Sequence, residues 1–272
     1  MKVFLLGGTK DSINIIEFIK NKYDSYILTT TTTEYGAKLA KEGGSDDTIA
    51  RPLPKDEIIK LIKEGEFDVL IDATHPFAEH ITQTSADIAN ELKIPYIRFE
   101  RPTTNLENID TSNIHYVKSF DEAGKLIECK FNQGNVLHFA GANTMEEVLK
   151  YVPCEKFYPR ILEVPSSLEK CEKLGVSKDH IIPMTGAASL EENIELIEKY
   201  DACVMITKES GEIGGVIEKI EAANQKDIAI IMIQRPQIKG LNKNSIVSNL
   251  NELDIKLNSF FKNRLNSAET GI

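Results

Sequence analysis

Phe67-Asp68-Val69-Leu70-Ile71-Asp72-Ala73-Thr74-His75-Pro76-Phe77-Ala78 is an apolar run that stops on a carboxylate, a hydroxyl and an imidazole, and a helix-like stretch from Glu79 to Leu92 follows it. Such a run reads as a buried strand, and open parallel sheets bind their ligands beyond the carboxyl ends of their strands. Asp72 and His75 are therefore the candidate catalytic groups, with Thr74 and Pro76 as candidate cofactor contacts beside them. The fixed φ and missing N–H of Pro76 suit the first turn of a helix, with Thr74 or His75 in the preceding cap region. For Thr74 alone, a hydroxyl that satisfies backbone donors at the turn is the simpler reading. The Asp, Thr and His taken together read as a site.

Outward from this strand the same unit recurs. Strand-like runs at Val3 to Leu6, Ser25 to Thr30, Asp68 to Asp72 and Tyr96 to Phe99 alternate with amphipathic segments at Ile13 to Lys22, Glu34 to Glu42, Lys55 to Lys63 and Phe77 to Leu92, and Asp47 to Ile49 offers one more short strand. That alternation is the signature of βα units feeding a parallel sheet. Arg101 to Asn113 turns polar and Pro/Asn-rich, which predicts a long surface loop of the kind that lines sites. After a strand at His115 to Val117 and a helix at Phe120 to Cys129, the cluster Asn132-Gln133-Gly134-Asn135 marks the predicted domain junction. A second series begins with strand Val136 to Ala140 and helix Met145 to Tyr151, and runs on to strands at Cys203 to Thr207 and Ala229 to Ile233. Leu250 to Leu265 reads as a closing amphipathic helix, with Asn266 to Ile272 frayed beyond it. The predicted architecture is α/β: two Rossmann-like doubly wound domains, 1–132 and 133–272, with mostly parallel sheets and a cleft between them.

Bulk composition narrows the function classes. With 272 residues, 41% hydrophobic and 27% charged, the chain has the length and balance of a soluble protein with one large or two ordinary domains. No run reaches the apolar length of a membrane span, and Met1-Lys2 leads straight into a short strand rather than a secretion signal, so a cytoplasmic location is expected. The formal charge of −10 argues against nucleic acid as a partner. Four scattered cysteines form no C-x-x-C pair, and His75 and His80 lack the acid and spacing of a helical zinc motif, so no metal is assigned. Neither a G-x-S-x-G elbow nor a G-x-x-x-x-G-K-[ST] loop is present.

Several groups can carry chemistry. Gly7-Gly8-Thr9 stands between the first strand and the first helix, where glycines let backbone N–H groups approach a phosphate. Thr9 and Ser12 occupy the places of the second and third glycines of the G-x-G-x-x-G fingerprint, and a tight turn is the competing explanation. The second strand ends on Thr29 to Thr33 instead of the acidic residue that grips ribose hydroxyls, which leaves NADPH or NADH open, with Thr30 as a candidate contact. Most of those threonines are explained as a β-rich strand with a capped helix after it. In the second half, Thr207-Lys208-Glu209-Ser210-Gly211 ends a strand and Gly214, Gly215 and Lys219 follow, which assembles backbone donors, a hydroxyl and two lysines for an anion. Gly141 holds a similar strand-end position. Arg98, Arg101 and Arg160 would suit a carboxylate-rich ligand; internal ion pairs with Glu100 or Glu163 explain each of them singly just as well. His115, His138 and His180 read as structural.

Four segments in order, Gly7-Gly8-Thr9, Asp72-Ala73-Thr74-His75-Pro76-Phe77-Ala78, Arg98-Phe99-Glu100-Arg101-Pro102, and Thr207-Lys208-Glu209-Ser210-Gly211 with Lys219, Ala222, Ala223 and Arg235-Pro236, resemble the precorrin-6A and cobalt-precorrin-6A reductases of cobalamin biosynthesis. The resemblance spans nearly the whole chain. Two departures stand out: there is no tryptophan after Glu100-Arg101-Pro102, and Met184-Thr185-Gly186-Ala187 replaces a glycine-proline pair. It implies a reductase that passes a hydride from a nicotinamide cofactor to a tetrapyrrole-derived macrocycle, saturating a carbon–carbon double bond. Gly7, Gly8 and Thr9 would hold the cofactor, and Arg98, Arg101, Gly141, Arg160, Lys208, Ser210, Gly211 and Lys219 the carboxylates of the ring acid, with other cobalamin-pathway enzymes as channelling partners. An NAD(P)-dependent reductase of another anionic substrate, or a non-catalytic nucleotide- or tetrapyrrole-binding protein, are the rival readings.

Overall fold

A computed structural model describes residues 1–269 of the chain, without the side chains of residue 213 and residues 261–269. In chain order the first elements are β1 (Lys2–Leu6), α1 (Lys10–Lys22), β2 (Tyr26–Thr31), α2 (Glu34–Glu42), β3 (Asp47–Ala50), α3 (Lys55–Gly65), β4 (Val69–Asp72), α4 (Glu79–Leu92) and β5 (Tyr96–Phe99). Then come β6 (Ile114–Val117), α5 (Phe120–Lys130), β7 (Asn135–His138), α6 (Met145–Val148), β8 (Phe157–Ile161), α7 (Pro165–Lys173), β9 (Ile182–Pro183) and α8 (Leu190–Lys199). The chain closes with β10 (Ala202–Lys208), α9 (Val216–Gln225), β11 (Ala229–Ile233), β12 (Ile246–Val247) and α10 (Leu250–Glu269). α10 runs past the Leu265 end predicted for it, and the end of the tail expected to fray, residues 270–272, lies outside the described residues.

The strands form two six-stranded sheets, β12-β5-β4-β1-β2-β3 and β6-β11-β10-β7-β8-β9, and every pairing is parallel. Each has the doubly wound order, in which the chain lays strands outward on one side of a central strand and then returns to the other side. The compact units are Met1–Pro102 with Gln237–Ile272, and Thr103–Pro236. This division differs from the predicted 1–132 and 133–272, because β6 pairs with β11 in the second sheet while β12 pairs with β5 in the first. Asn132 to Asn135 is an ordinary connection from α5 to β7; turn residues mark any such connection, not domain borders alone.

The first sheet is buried on both faces. Val3, Leu5, Val69, Ile71 and Ile97 pack with Ile15, Ile16 and Ile19 of α1 and with Leu253 and Leu257 of α10. Their neighbours Phe4, Leu6, Leu70 and Tyr96 pack with Ile58 and Ile62 of α3 and Ala86 and Ala89 of α4. Alternate residues of one strand therefore enter opposite layers, which is why the strands read as continuous apolar runs. In the second unit Leu137, Met205, Ile230 and Met232 meet Ile197 of α8 and Ile220, Ala222 and Ala223 of α9.

Candidate functional site

The first sheet reverses direction between β1 and β4, and that switch point is where doubly wound sheets open a ligand crevice. Both sequence-predicted loops of the first unit leave from it. After β1, the Gly7 N–H donates to the Thr30 carbonyl at 2.9 Å, and a Cβ on Gly7 would stand 2.9 Å from Thr29 Cγ2. Gly8 sits at φ +97°, and no heavy atom lies within 4 Å of where its Cβ would be. That open, left-handed glycine at the amino end of α1 is the approach a pyrophosphate needs, and the residues present fit a dinucleotide.

Thr9 serves the turn. Its hydroxyl accepts from the Ser12 N–H at 3.2 Å and donates to the Ala73 carbonyl at 2.7 Å, while Ser12 Oγ accepts from the Thr9 N–H. This capping box closes α1 where the fingerprint would place its glycines. The Thr9 to Ala73 bond also ties the glycine turn to the loop after β4. The threonine row behaves as strand and cap: Thr29 bonds Ser45 in the interior, Thr31 donates to the Thr33 carbonyl, and Thr33 caps α2. Thr30 is buried, and it positions Gly7 through its own carbonyl.

The corner after β4 is built on a buried ion pair. Asp72 and Arg98 stand in register on adjacent strands, are 0% and 1% exposed, and meet at 2.7 Å. Asp72 Oδ1 also accepts from the Thr74 N–H and hydroxyl at 2.9 and 2.7 Å, and Oδ2 from the Tyr96 hydroxyl at 3.1 Å. Arg98 donates further to Thr74 Oγ1 at 3.0 Å and to the His75 carbonyl at 3.4 Å. Burial, and next the Asp72 charge, raises the Tyr96 phenol far above its ordinary range, so it stays a donor. Both carboxylate oxygens of Asp72 are thus buried and hydrogen-bonded, and Arg98 is paired with an internal carboxylate. Arg101 is likewise paired, with Asp11 in the first turn of α1 at 2.7 Å.

His75 is exposed at this corner, and its Nδ1 accepts from the Phe77 N–H at 3.2 Å. The neutral ring therefore carries its proton on Nε2, a tautomer assigned from that contact. Pro76 does not begin a helix. It follows His75 in a turn closed by the Ala78 N–H on the His75 carbonyl at 2.8 Å, and α4 starts at Glu79; proline is favoured at that second turn position for the same fixed φ.

The second sheet reverses between β7 and β10. Lys208, at the end of β10, donates to the Ala140 carbonyl beyond β7 at 2.8 Å and lies 5.5 Å from the Phe120 ring centre; burial lowers its pKa to about 8. Gly141 and Gly211 take φ of +83° and +77° at the two strand exits. A Cβ on Gly214 would collide with Ser210 Oγ, so the loop folds on itself at the start of α9. Lys219 in that helix is 3% exposed, and Arg160 of β8 stacks on Phe139 with its guanidinium carbon 4.3 Å from the ring centre. Two residues outside the sequence-predicted site also matter here. Glu209 accepts from the Thr104 N–H and hydroxyl at 3.0 and 3.1 Å and pairs with Arg235, pinning the long loop. His138, 0% exposed, contacts Thr144 Oγ1 at 2.9 Å, and burial pushes its pKa down to about 3, so it is neutral.

Two doubly wound parallel sheets with a glycine turn at a switch point define a Rossmann-like α/β protein, a class that binds its ligands beyond the carboxyl ends of the strands. The chain belongs to the precorrin-6x reductase CbiJ/CobK family, whose model matches residues 2–255. It is 37% identical over 254 residues to the cobalt-precorrin-6A reductase of Methanothermobacter thermautotrophicus, covering 93% of this chain and 82% of that one. It is 40% identical over 238 residues to that of Methanocaldococcus jannaschii, covering 88% and 92%. The solved CobK precorrin-6A reductase shares the fold, with a TM-score of 0.72 at 15% identity over 96% of this chain and 97% of that one.

Proposed function

We propose that this chain reduces cobalt-precorrin-6A, or its metal-free counterpart, in the cytoplasm, with NADPH or NADH as hydride source. Its named relatives support the substrate. The observation that carries the cofactor's place is the switch point of the first sheet, where the open Gly8 turn and the His75 corner are joined by the Thr9 to Ala73 hydrogen bond.

The nicotinamide supplies hydride when bound. Gly7 and Gly8 present backbone to the pyrophosphate at the start of α1, and Asp72, Arg98 and Thr74 position the corner beside it. The ring carbon next to the one that receives hydride would take its proton from the imidazolium form of His75, which water reprotonates, completing reduction of the double bond. No carboxylate ends β2, so nothing there repels a 2′-phosphate. In the second unit Gly141, Lys208, Ser210, Gly211, Lys219 and Arg160 receive the acetate and propionate arms of the macrocycle. Anaerobic assay of NADPH and NADH oxidation with cobalt-precorrin-6A tests the reading. Absence of turnover with both nucleotides, alongside turnover of a different anionic substrate, would defeat it.

A further inference from the structure

β7 ends at the switch point of the second sheet, and the chain turns beyond it through Ala140 and Gly141. Gly141 stands at φ +83°, with no heavy atom within 4 Å of where its Cβ would be, so side-chain packing does not set the direction of this turn. Hydrogen bonds do. Thr144 Oγ1 lies 3.0 Å from the Gly141 carbonyl oxygen and 3.3 Å from that of Ala140. The Ala140 carbonyl also accepts from Lys208 Nζ at 2.8 Å. The lysine ammonium is therefore tied to the same two-residue turn whose orientation Thr144 governs.

His138 backs this arrangement. Its Nε2 lies 2.9 Å from Thr144 Oγ1 and 3.3 Å from the Gly141 carbonyl oxygen. A carbonyl only accepts, and the single Thr144 hydroxyl hydrogen goes to a carbonyl, so Nε2 carries the ring proton and donates to Thr144. The ring is 0% exposed, with its centre 5.9 and 5.1 Å from those of Phe120 and Phe157, and Lys208 Nζ lies 5.5 Å from the centre of the same Phe120 ring. Nδ1 has no hydrogen-bond partner among the described residues. A buried acceptor left unpaired costs stability that a phenylalanine in this aromatic setting would not. What the histidine adds over such an apolar ring is the Nε2–H, and that proton is aimed at the Gly141 turn.

We propose that His138 and Thr144 are positioning residues for Lys208, acting through the Ala140 and Gly141 carbonyls to aim its ammonium at a carboxylate of the substrate. The identity of that substrate rests on the reductase reading above. With the Thr144 hydroxyl on the Gly141 carbonyl, the turn is fixed, and Lys208 is held against Ala140 as part of one network. Removal of the hydroxyl frees the left-handed glycine to rotate, and the ammonium, anchored on the neighbouring carbonyl, moves with it. His138, fully buried, acts on the ligand only through Thr144 and the turn.

The experiment compares wild type with Thr144→Val, Thr144→Ser, His138→Phe, Lys208→Met and the double variant Thr144→Val with Lys208→Met. Uroporphyrin III, an octacarboxylate macrocycle that needs no turnover, is titrated by quenching of its fluorescence. KM and kcat for cobalt-precorrin-6A, Kd for NADPH and Tm are measured beside it. Lys208→Met is expected to weaken uroporphyrin binding and raise KM about tenfold or more, the effect of losing a charge-assisted contact. Thr144→Val and His138→Phe should weaken binding and raise KM about threefold or more, with kcat and NADPH Kd within about twofold of wild type, while Thr144→Ser keeps the hydroxyl and the affinity. His138→Phe should hold its Tm, and a fall in Tm with unchanged binding would assign the histidine to the fold alone. The double variant decides the mechanism: its affinity should match that of Lys208→Met within about twofold, because Thr144 acts through the lysine. Effects that multiply, unchanged binding in Lys208→Met, or affinity within about twofold of wild type in both Thr144→Val and His138→Phe overturn the proposal, and where one of those two does not fold the other decides. Coupled binding of uroporphyrin with no turnover of cobalt-precorrin-6A sinks the reductase reading and leaves the network standing, whereas turnover with multiplying effects does the reverse.

Discussion

Arg98→Met tests the corner after β4 most directly. The substitution keeps an unbranched side chain of similar length in a position that is 1% exposed, but removes the guanidinium that meets Asp72 at 2.7 Å. Asp72 would then be a buried carboxylate held by Thr74 and Tyr96 alone. Breaking one side of such a pair costs about 3–5 kcal/mol, and for a chain of this size about 2–4 °C of Tm accompanies each kcal/mol. Calorimetry should therefore show a loss of about 6 to 20 °C. Asp72→Asn alone should cost less, since Glu100 still lies 3.6 Å from Arg98 Nε, and Asp72→Asn with Arg98→Met should cost much less than the sum, with a coupling above about 1 kcal/mol. The contacts of Arg98 to Thr74 Oγ1 and the His75 carbonyl vanish too, so NAD(P)H affinity should fall in the single variant. A Tm change under about 2 °C, or simple additivity in the double variant, would show that the pair does not hold the corner.

Three further perturbations separate the roles assigned above. Gly8→Val forces a β-branched residue to φ +97°, a strain of about 1–3 kcal/mol, and fills the open approach; fluorescence titration should show NAD(P)H binding at least about tenfold weaker, and unchanged affinity would move the nucleotide elsewhere. His75→Gln should lower kcat by about 10²-fold or more with little change in nucleotide Kd, and an unaltered kcat would assign the proton to another group. His138, held neutral with a pKa of about 3 against 6.5, binds its proton in the unfolded chain first. Stability from this residue is therefore complete above about pH 6.5 and lost as pH falls towards 3; urea midpoints measured from pH 7 down to pH 4 should decline less steeply in His138→Gln, and parallel profiles would reject the assignment.

The doubly wound pattern was legible because each buried parallel strand is an uninterrupted apolar run. The ownership of the edge strands was not. β12 is Ile246–Val247, too short to carry a period, and only its pairing with β5 at Arg98 and Phe99 makes it a strand of the first sheet. β6 reads like a sixth strand of the unit before it, yet its register with Ile230 to Ile233 puts it in the second sheet. Strand order is a long-range property, and local composition at Asn132 to Asn135 has no access to it.

The site divides on the same ground. Arg98, Arg101 and Arg160 look alike as sequence, each a cation in or just after an apolar run. What separates them is which residue the neighbouring strand or helix places opposite: Asp72 in register with Arg98, Asp11 at the start of α1 for Arg101, and an aromatic face for Arg160. Residue type indicates which chemistry a group can do, while register decides whether an internal partner has already engaged it. Lys219 makes the point from the other side. A lysine in an amphipathic helix is expected on the solvated face, and its burial follows from a glycine-bearing loop that folds back over the first turn of α9.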